Sequence, residues 1–360
     1  MNQDNDRTGR PSPLGPLSPL RGKGRDRVAR SAGLLIAAFA MAGLSLSMAG
    51  CGDDDDGAEL TNVTFMLDWV PNTNHAGIYI AKEMGWYEEA GLNVRIVEPG
   101  ESVVEQVVAA GSAEFGISVQ ESVIPARAAG VPIVSIAAII QHNTSSLMSL
   151  AEDGIEQPGD LAGKTYGGFG GPLESALVKT LTECGGGDPE SVKFVEVGQA
   201  EYLDGMDRDQ YDFVWIFDGW DGVRATELVG AEVNFLHFID YVDCIPDWYT
   251  PLIITSEALI ADDPDTVRAL IEATARGYDY AQDNPEEAAR ILLDAVPELD
   301  EALVERSAQY LASRYVAPGR QWGLQDQEIW ERFEAFLRDS GLTDSEVDVS
   351  AAYTNEFLPE

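Results

Sequence analysis

Beyond residue 60 the chain alternates between short runs of β-branched and aromatic residues and longer stretches whose apolar positions recur every three or four residues. Val63 to Leu67, Val94 to Val97, Phe115 to Val119 and Ile133 to Ile140 read as strands, bounded by polar and glycine-containing segments. Between the first two, Ala76, Tyr79, Ile80, Met84 and Tyr87 fall on one face of a helix, and Gly91 marks its end. A second series follows the polar stretch His142 to Ser146, with strands at Lys164 to Gly167, Lys193 to Val197 and Tyr211 to Phe217 and a helix at Leu173 to Cys184. Another strand, Pro251 to Ser256, precedes helices at Pro264 to Asp283, Pro285 to Asp294, Asp300 to Ser313 and Asp326 to Arg338. Pro264 and Pro285 suit a first helical turn, where the missing N–H has no partner to lose. In the last helix Ile329, Phe333, Phe336 and Leu337 form the buried stripe.

This alternation predicts an α/β protein with largely parallel sheets in two lobes. Residues 61–143 are expected to form the first part of one lobe, 144–243 the second lobe, and 244–360 the return to the first lobe with the C-terminal helices. The chain would then cross between lobes near 142–146 and 241–250. A hinge cleft lined by strand ends and helix N-termini lies between such lobes, and a small ligand is expected there.

The first sixty residues follow another pattern. A basic stretch ending at Arg30 precedes Ser31 to Gly50, which carries no charge and is rich in Leu, Ala, Ile and Met. Residues 1–50 therefore read as an export signal. The run closes on Met48-Ala49-Gly50-Cys51, which resembles a bacterial lipobox, so that Cys51 is the expected lipid-modified first residue of the mature chain. Residues 51–60, with Asp53 to Asp56, form an acidic tether that holds the domain off the outer face of the cytoplasmic membrane. An uncleaved membrane-spanning helix is the alternative.

Charge narrows the function classes. Asp and Glu number 62 against 23 Lys and Arg, a formal charge of −39. That sign repels nucleic acids and anionic head groups and suits a hydrated monomer in an exported setting. The remaining cysteines, Cys184 and Cys244, are far apart without a dense framework, and two separate buried thiols are expected rather than one bridge. No Cys/His spacing suggests zinc, and three histidines, His75, His142 and His237, offer little material for iron or acid–base chemistry. No cofactor or metal is expected.

The stretch Leu67-Asp68-Trp69-Val70-Pro71-Asn72-Thr73-Asn74-His75-Ala76-Gly77-Ile78-Tyr79 resembles the opening of the pyrimidine-precursor (formylaminopyrimidine) binding proteins of thiamine-related ABC importers. These are relatives of the hydroxymethylpyrimidine phosphate synthases and the sulfonate-binding proteins. The likeness continues through Gly85-Trp86-Tyr87, Gly91 to Val94, Gly163-Lys164-Thr165, Gly219 to Gly222, Ile245 to Tyr249 and Tyr353 to Leu358. It implies a two-lobed periplasmic binding protein of type II that delivers a heteroaromatic ligand to an ABC permease. Riboflavin or a sulfonate-like small molecule is the alternative ligand, and a synthase the alternative class. The synthases use a Lys and a His four positions later; aligned on Phe115-Gly116-Ile117, this chain has Ser118 and Ser122 there. The family's cysteine-rich patch would fall near Cys244, which stands alone.

A flat aminopyrimidine requires aromatic faces and carboxylate or amide groups at its edge. Trp69, Trp215, Trp220, Trp248 and Tyr249 supply candidate faces, with core packing the alternative for each. Asp68, Asn74 and His75 follow the first strand, and Gln120 and Glu121 follow the third. Gly170 belongs to the glycine-rich turn before the helix at Leu173, whose N–H groups are candidates to hold a formyl or phosphate oxygen. Glu174 in that helix's first turn, with no Lys or Arg in the loop, favours a neutral ligand. Asp218 and Asp221 flank Trp220.

Overall fold

The computed structural model describes residues 60–198, 201–344 and 346–360. Residues 1–50 and the lipidation site Cys51 lie outside the described residues. The first sheet is built from β1 (Thr61–Met66), β2 (Leu92–Val97), β3 (Phe115–Ser118) and β4 (Ile133–Ala138). Connecting them are α1 (Ala76–Glu83) and α2 (Trp86–Glu89), then α3 (Val104–Ala109), then α4 (Gln120–Ala128). The chain then enters a second sheet of β5 (Ser145–Leu150), β6 (Thr165–Gly168), β7 (Lys193–Glu196), β8 (Phe213–Phe217) and β9 (Val233–His237), with α5 (Pro172–Cys184) and α6 (Tyr202–Met206). It returns through β10 (Leu252–Ser256) and ends in α7 (Glu257–Asp262), α8 (Pro264–Asp283), α9 (Pro285–Ala295), α10 (Glu301–Ala312) and α11 (Gln327–Asp339).

Strand order is β2-β1-β3-β10-β4 in one sheet and β7-β6-β8-β5-β9 in the other. Each begins as the expected parallel trio, with Thr61 opposite Leu92 and Thr165 opposite Lys193. The largely parallel expectation then fails. β10 runs antiparallel to both β3 and β4, and β5 antiparallel to both β8 and β9. Both reversed strands are the first to follow a crossing, so each enters its sheet from the hinge side rather than through a helix packed on the face. β5 and β9 themselves escaped the sequence pattern. Ser145 and Ser146, expected in the first crossing, open β5; the Ser146 hydroxyl is satisfied by Asp218, so a polar run can sit in a buried strand. The links between sheets are residues 139–144 and 238–251.

Packing on the first sheet centres on α1 and α8. They cross where Gly77 faces Gly277, and a Cβ on Gly277 would run into the backbone carbonyl of Gly77. Tyr278, next in sequence, stacks on Trp322 at 4.7 Å between ring centroids. The expected helix starts hold at the chemical level: Pro264 and Pro285 open α8 and α9, and Asp300 caps α10 by accepting from Leu303 N at 3.0 Å. Along α11, Phe333 and Leu337 are buried and Ile329 and Phe336 pack against the same core.

The cysteines correct the expectation of separate buried thiols. Cys184 and Cys244 form a disulfide with their Cα atoms 5.9 Å apart, and Cys184 is exposed at the end of α5. The pairing is tertiary: it joins the helix end to the segment that leaves β9, two places that sequence spacing alone does not bring together. Among the described residues no helix is long and apolar enough to cross a membrane.

Candidate functional site

A cleft of about 510 Å³ is lined by residues of both sheets' loops and of both crossings. On the first side the chain leaves β1 at Leu67 and presents Asp68, Trp69 and Val70. The next turn is held by Asn72, whose side chain accepts from Asn74 N at 2.9 Å and donates to Val70 O at 3.1 Å. The fully buried His75 accepts the Asn72 N–H at Nδ1, 3.2 Å away, so its ring proton is on Nε2, 2.9 Å from Asp68 Oδ1. That bond fixes one oxygen of Asp68 on a carboxylate that lines the cleft. From below, Tyr315 and Tyr278 donate to the carbonyls of Thr73 and Asn74, both at 2.7 Å. The motif is thus a rigid platform.

The opposite side is formed by the ends of β6 and β8 and the start of α6, which contribute Phe169, Phe217, Trp220, Asp221, Glu201 and Tyr202. Trp69, Phe169 and Phe217 are 45, 53 and 40% exposed. Large rings that converge on one cleft while wet are the signature of a ligand surface. Among the described residues, three carboxylates, Asp68, Glu201 and Asp221, line the same cleft, and no lining residue is Lys or Arg. Burial pushes the Asp221 carboxyl up to about 6, its Oδ2 taking the Phe217 N–H at 3.4 Å. An aromatic, acidic cavity without a fixed cation suits a neutral or cationic flat ring and opposes an anion.

Of the residues expected from sequence, Asp68, Trp69, Asn74, Trp220 and Asp221 meet in this cleft, and Glu121 stands in the first turn of α4, two residues after the lining residue Val119. The remaining ones are placed elsewhere. His75 lies beneath, holding Asp68. Gln120 is buried and accepts from Tyr249 N at 2.8 Å, which ties α4 to the second crossing. Trp248 and Tyr249 are core residues: Trp248 stacks on Phe333 at 5.0 Å and meets Trp215 edge-on at 6.0 Å, and the Tyr249 hydroxyl accepts from Asp326 N at 2.7 Å. Trp215 packs against this core from β8. Asp218 serves the second lobe, accepting from Ser146 and, at 2.9 Å, from His237 Nδ1; that bond raises the imidazole's pKa.

The glycine-rich turn also departs from expectation. Glu174 accepts from Phe169 N at 3.1 Å and Gly171 N at 2.9 Å, and from the Tyr166 hydroxyl at 2.9 Å. The N–H groups expected to cradle a ligand oxygen are therefore used by the helix's own capping carboxylate, and Glu174 is not a cleft group. Gly170 has a left-handed backbone (φ 82°) that shapes the turn, while its neighbour Phe169 reaches the cleft. Sequence reasoning missed Phe169, Phe217, Tyr202 and Thr250. For Phe169 and Phe217 the available signal was an aromatic residue inside a glycine turn or at a strand end, where no core position requires one; Tyr202 and Thr250 carried no such signal. A second cavity of about 670 Å³ lies at His142, Asp247, Arg320 and Arg332, where His142 pairs with Asp247 at 2.7 Å, Arg320 pairs with Asp326 at 2.8 Å and Arg332 donates to Val242 O at 2.9 Å.

Residues 72–288 match the family described as NMT1/THI5 like. The formylaminopyrimidine-binding protein of Halalkalibacterium halodurans is 31% identical, covering 81% of this chain and 90% of its own. The 4-amino-5-hydroxymethyl-2-methylpyrimidine phosphate synthase of Legionella pneumophila is 27% identical (83 and 93% covered), and the riboflavin-binding protein RibY of Chloroflexus aurantiacus 29% (83 and 87%). Among solved structures, the periplasmic aliphatic sulphonate binding protein SsuA of Escherichia coli superimposes with a TM-score of 0.64 at 14% identity, over 84% of this chain and 94% of that one. That likeness shows the fold, the two-lobed α/β architecture of periplasmic binding proteins, while the sequence match over most of the chain shows that this protein belongs to the NMT1/THI5-like family.

Proposed function

We propose that this chain is the extracytoplasmic solute-binding component of an ABC importer and that it captures a neutral heteroaromatic, a thiamine pyrimidine precursor of the formylaminopyrimidine type. The observation that carries the reading is the cleft itself, with Trp69, Phe169, Phe217 and Trp220 as ring faces, carboxylates at the edge and no cation among the described lining residues. Two offset stacks at about 0.5–1.5 kcal/mol each and edge hydrogen bonds to carboxylates at about 1.5–3 kcal/mol each, with apolar burial, account for the ~8 kcal/mol of micromolar binding. The formylaminopyrimidine-binding relative supports the ligand class. An anionic sulfonate, despite the shared fold, would meet only negative charge.

The synthase alternative lacks its groups. Ser118, aligned with the family's lysine, is buried and donates to Glu105, and neither it nor Ser122 can form a Schiff base or supply an imidazole. In the proposed reading a lipid on Cys51 holds the domain at the outer face of the cytoplasmic membrane, where it meets the permease as a monomer.

Calorimetric titration of the purified protein with formylaminopyrimidine, hydroxymethylpyrimidine, thiamine, riboflavin and taurine tests the ligand class. Micromolar or tighter binding of the pyrimidines is expected, with no heat from taurine. Binding of taurine alone overturns the assignment, and riboflavin binding alone replaces the pyrimidine. Formation of a pyrimidine phosphate on addition of pyridoxal phosphate and iron would refute the transport reading.

A further inference from the structure

Where α4 meets the second crossing, three buried polar atoms have no hydrogen-bond partner among the described residues: Glu121 Oε2, Trp248 Nε1 and Thr250 Oγ1. Glu121 stands in the first turn of α4, two residues after Val119; Val119 and Thr250 both line the cleft. Thr250 is 2% exposed and Trp248 fully buried, so bulk water does not satisfy them. The Trp248 indole is a donor beside the Glu121 carboxyl and offsets only part of the effect of burial. The charges that act on Glu121 are both acidic, Asp68 on the loop after β1 and Glu105 on α3. With no cation beside it, burial pushes the Glu121 carboxyl up to about 8, and it carries its proton at neutral pH. Unmatched polar atoms at this density are costly in a core and are kept where something else completes them.

We propose that Glu121 is a ligand-reading residue of this cleft: its protonated carboxyl donates to a ring nitrogen and accepts from the adjacent exocyclic amine, and Thr250 supplies a second hydroxyl contact at the same end. The assignment rests on the heteroaromatic reading above and specifies which ring edge enters first. A carboxylic acid matches an acceptor nitrogen beside an amine with two parallel hydrogen bonds, whereas a carboxylate offers only acceptors and repels the ring nitrogen. Affinity is therefore greatest while Glu121 keeps its proton and declines as pH rises through its pKa.

The test is calorimetry with hydroxymethylpyrimidine and thiamine as probes, near neutral pH and at about two units higher, on the wild type, Glu121→Gln, Glu121→Leu and Thr250→Val. Wild-type affinity is expected to fall about tenfold or more across that interval. Glu121→Gln, whose amide presents the same donor–acceptor pair, retains binding within about threefold and loses the pH dependence. Glu121→Leu loses about tenfold or more, and Thr250→Val about fivefold, with melting temperatures unchanged or raised because neither group has a protein partner. Wild-type binding of a ring that is insensitive to all three substitutions, or a Gln variant that keeps the wild-type pH dependence, overturns the assignment and leaves the heteroaromatic reading intact. Failure of the wild type to bind either ring overturns both.

Discussion

His75 and Asp68 form a buried-to-cleft pair: the imidazole Nε2 lies 2.9 Å from the carboxylate, and the imidazole itself is fully enclosed and held at Nδ1 by the Asn72 N–H. The histidine thus orients a group that lines the cleft. Asp68→Asn is expected to weaken ligand binding by about 1.5–3 kcal/mol, the worth of a charge-assisted bond. His75→Gln, which disturbs orientation but not cleft charge, should weaken it less and also lower the melting temperature. Equal losses from both would show that His75 acts in some other way.

The ring faces predict a graded response. Trp69→Ala and Trp220→Ala should each lower affinity about tenfold or more, through lost stacking and lost apolar burial. Trp248→Ala, which removes a core ring packed on Phe333, should instead destabilise the fold by about 3–5 kcal/mol. Calorimetric affinity and urea unfolding, measured on all three, separate the two behaviours; an unfolding loss confined to the cleft variants would contradict the placement.

Glu121 also predicts a stability profile without ligand. Its carboxyl is raised from 4.5 to about 8 in the folded state. The unfolded chain therefore releases this proton first, and the folded state's advantage is complete below the unfolded value. That advantage is lost as pH climbs toward about 8, by about 1.4 kcal/mol per unit at most, and is constant above. Glu121→Gln removes this dependence, so the variant should gain on the wild type between about pH 5 and about pH 9 in urea unfolding. An unchanged gap across that range would refute the buried, unmatched carboxyl.

Cys184→Ser with Cys244→Ser should lower unfolding free energy by about 2–4 kcal/mol, mostly through the freed unfolded chain. Unreduced wild-type protein alkylated under denaturing conditions should show no accessible thiol at either position by mass spectrometry.

Gly277→Ala should destabilise by about 1–3 kcal/mol, since the added methyl meets the Gly77 carbonyl where α1 and α8 cross. Calorimetry showing a stabilised helix instead would mean that the crossing can open.

The sequence determined every element whose signal is local. Periodicity and capping chemistry placed α8, α9 and α10, down to the prolines that open the first two and Asp300 at the third. The family resemblance marked the Asp68-to-His75 stretch. Tertiary structure alone decided what depended on two distant segments meeting. It reversed β5 and β10, because strand direction is set by where the chain re-enters a sheet and not by its side chains. It joined Cys184 to Cys244, gave Glu174 to its own helix cap, and buried Trp248 and Tyr249 while leaving Phe169 and Phe217 wet. An aromatic side chain carries the same apolar character in a core and on a cleft wall, and only the second surface brought against it determines which role it has.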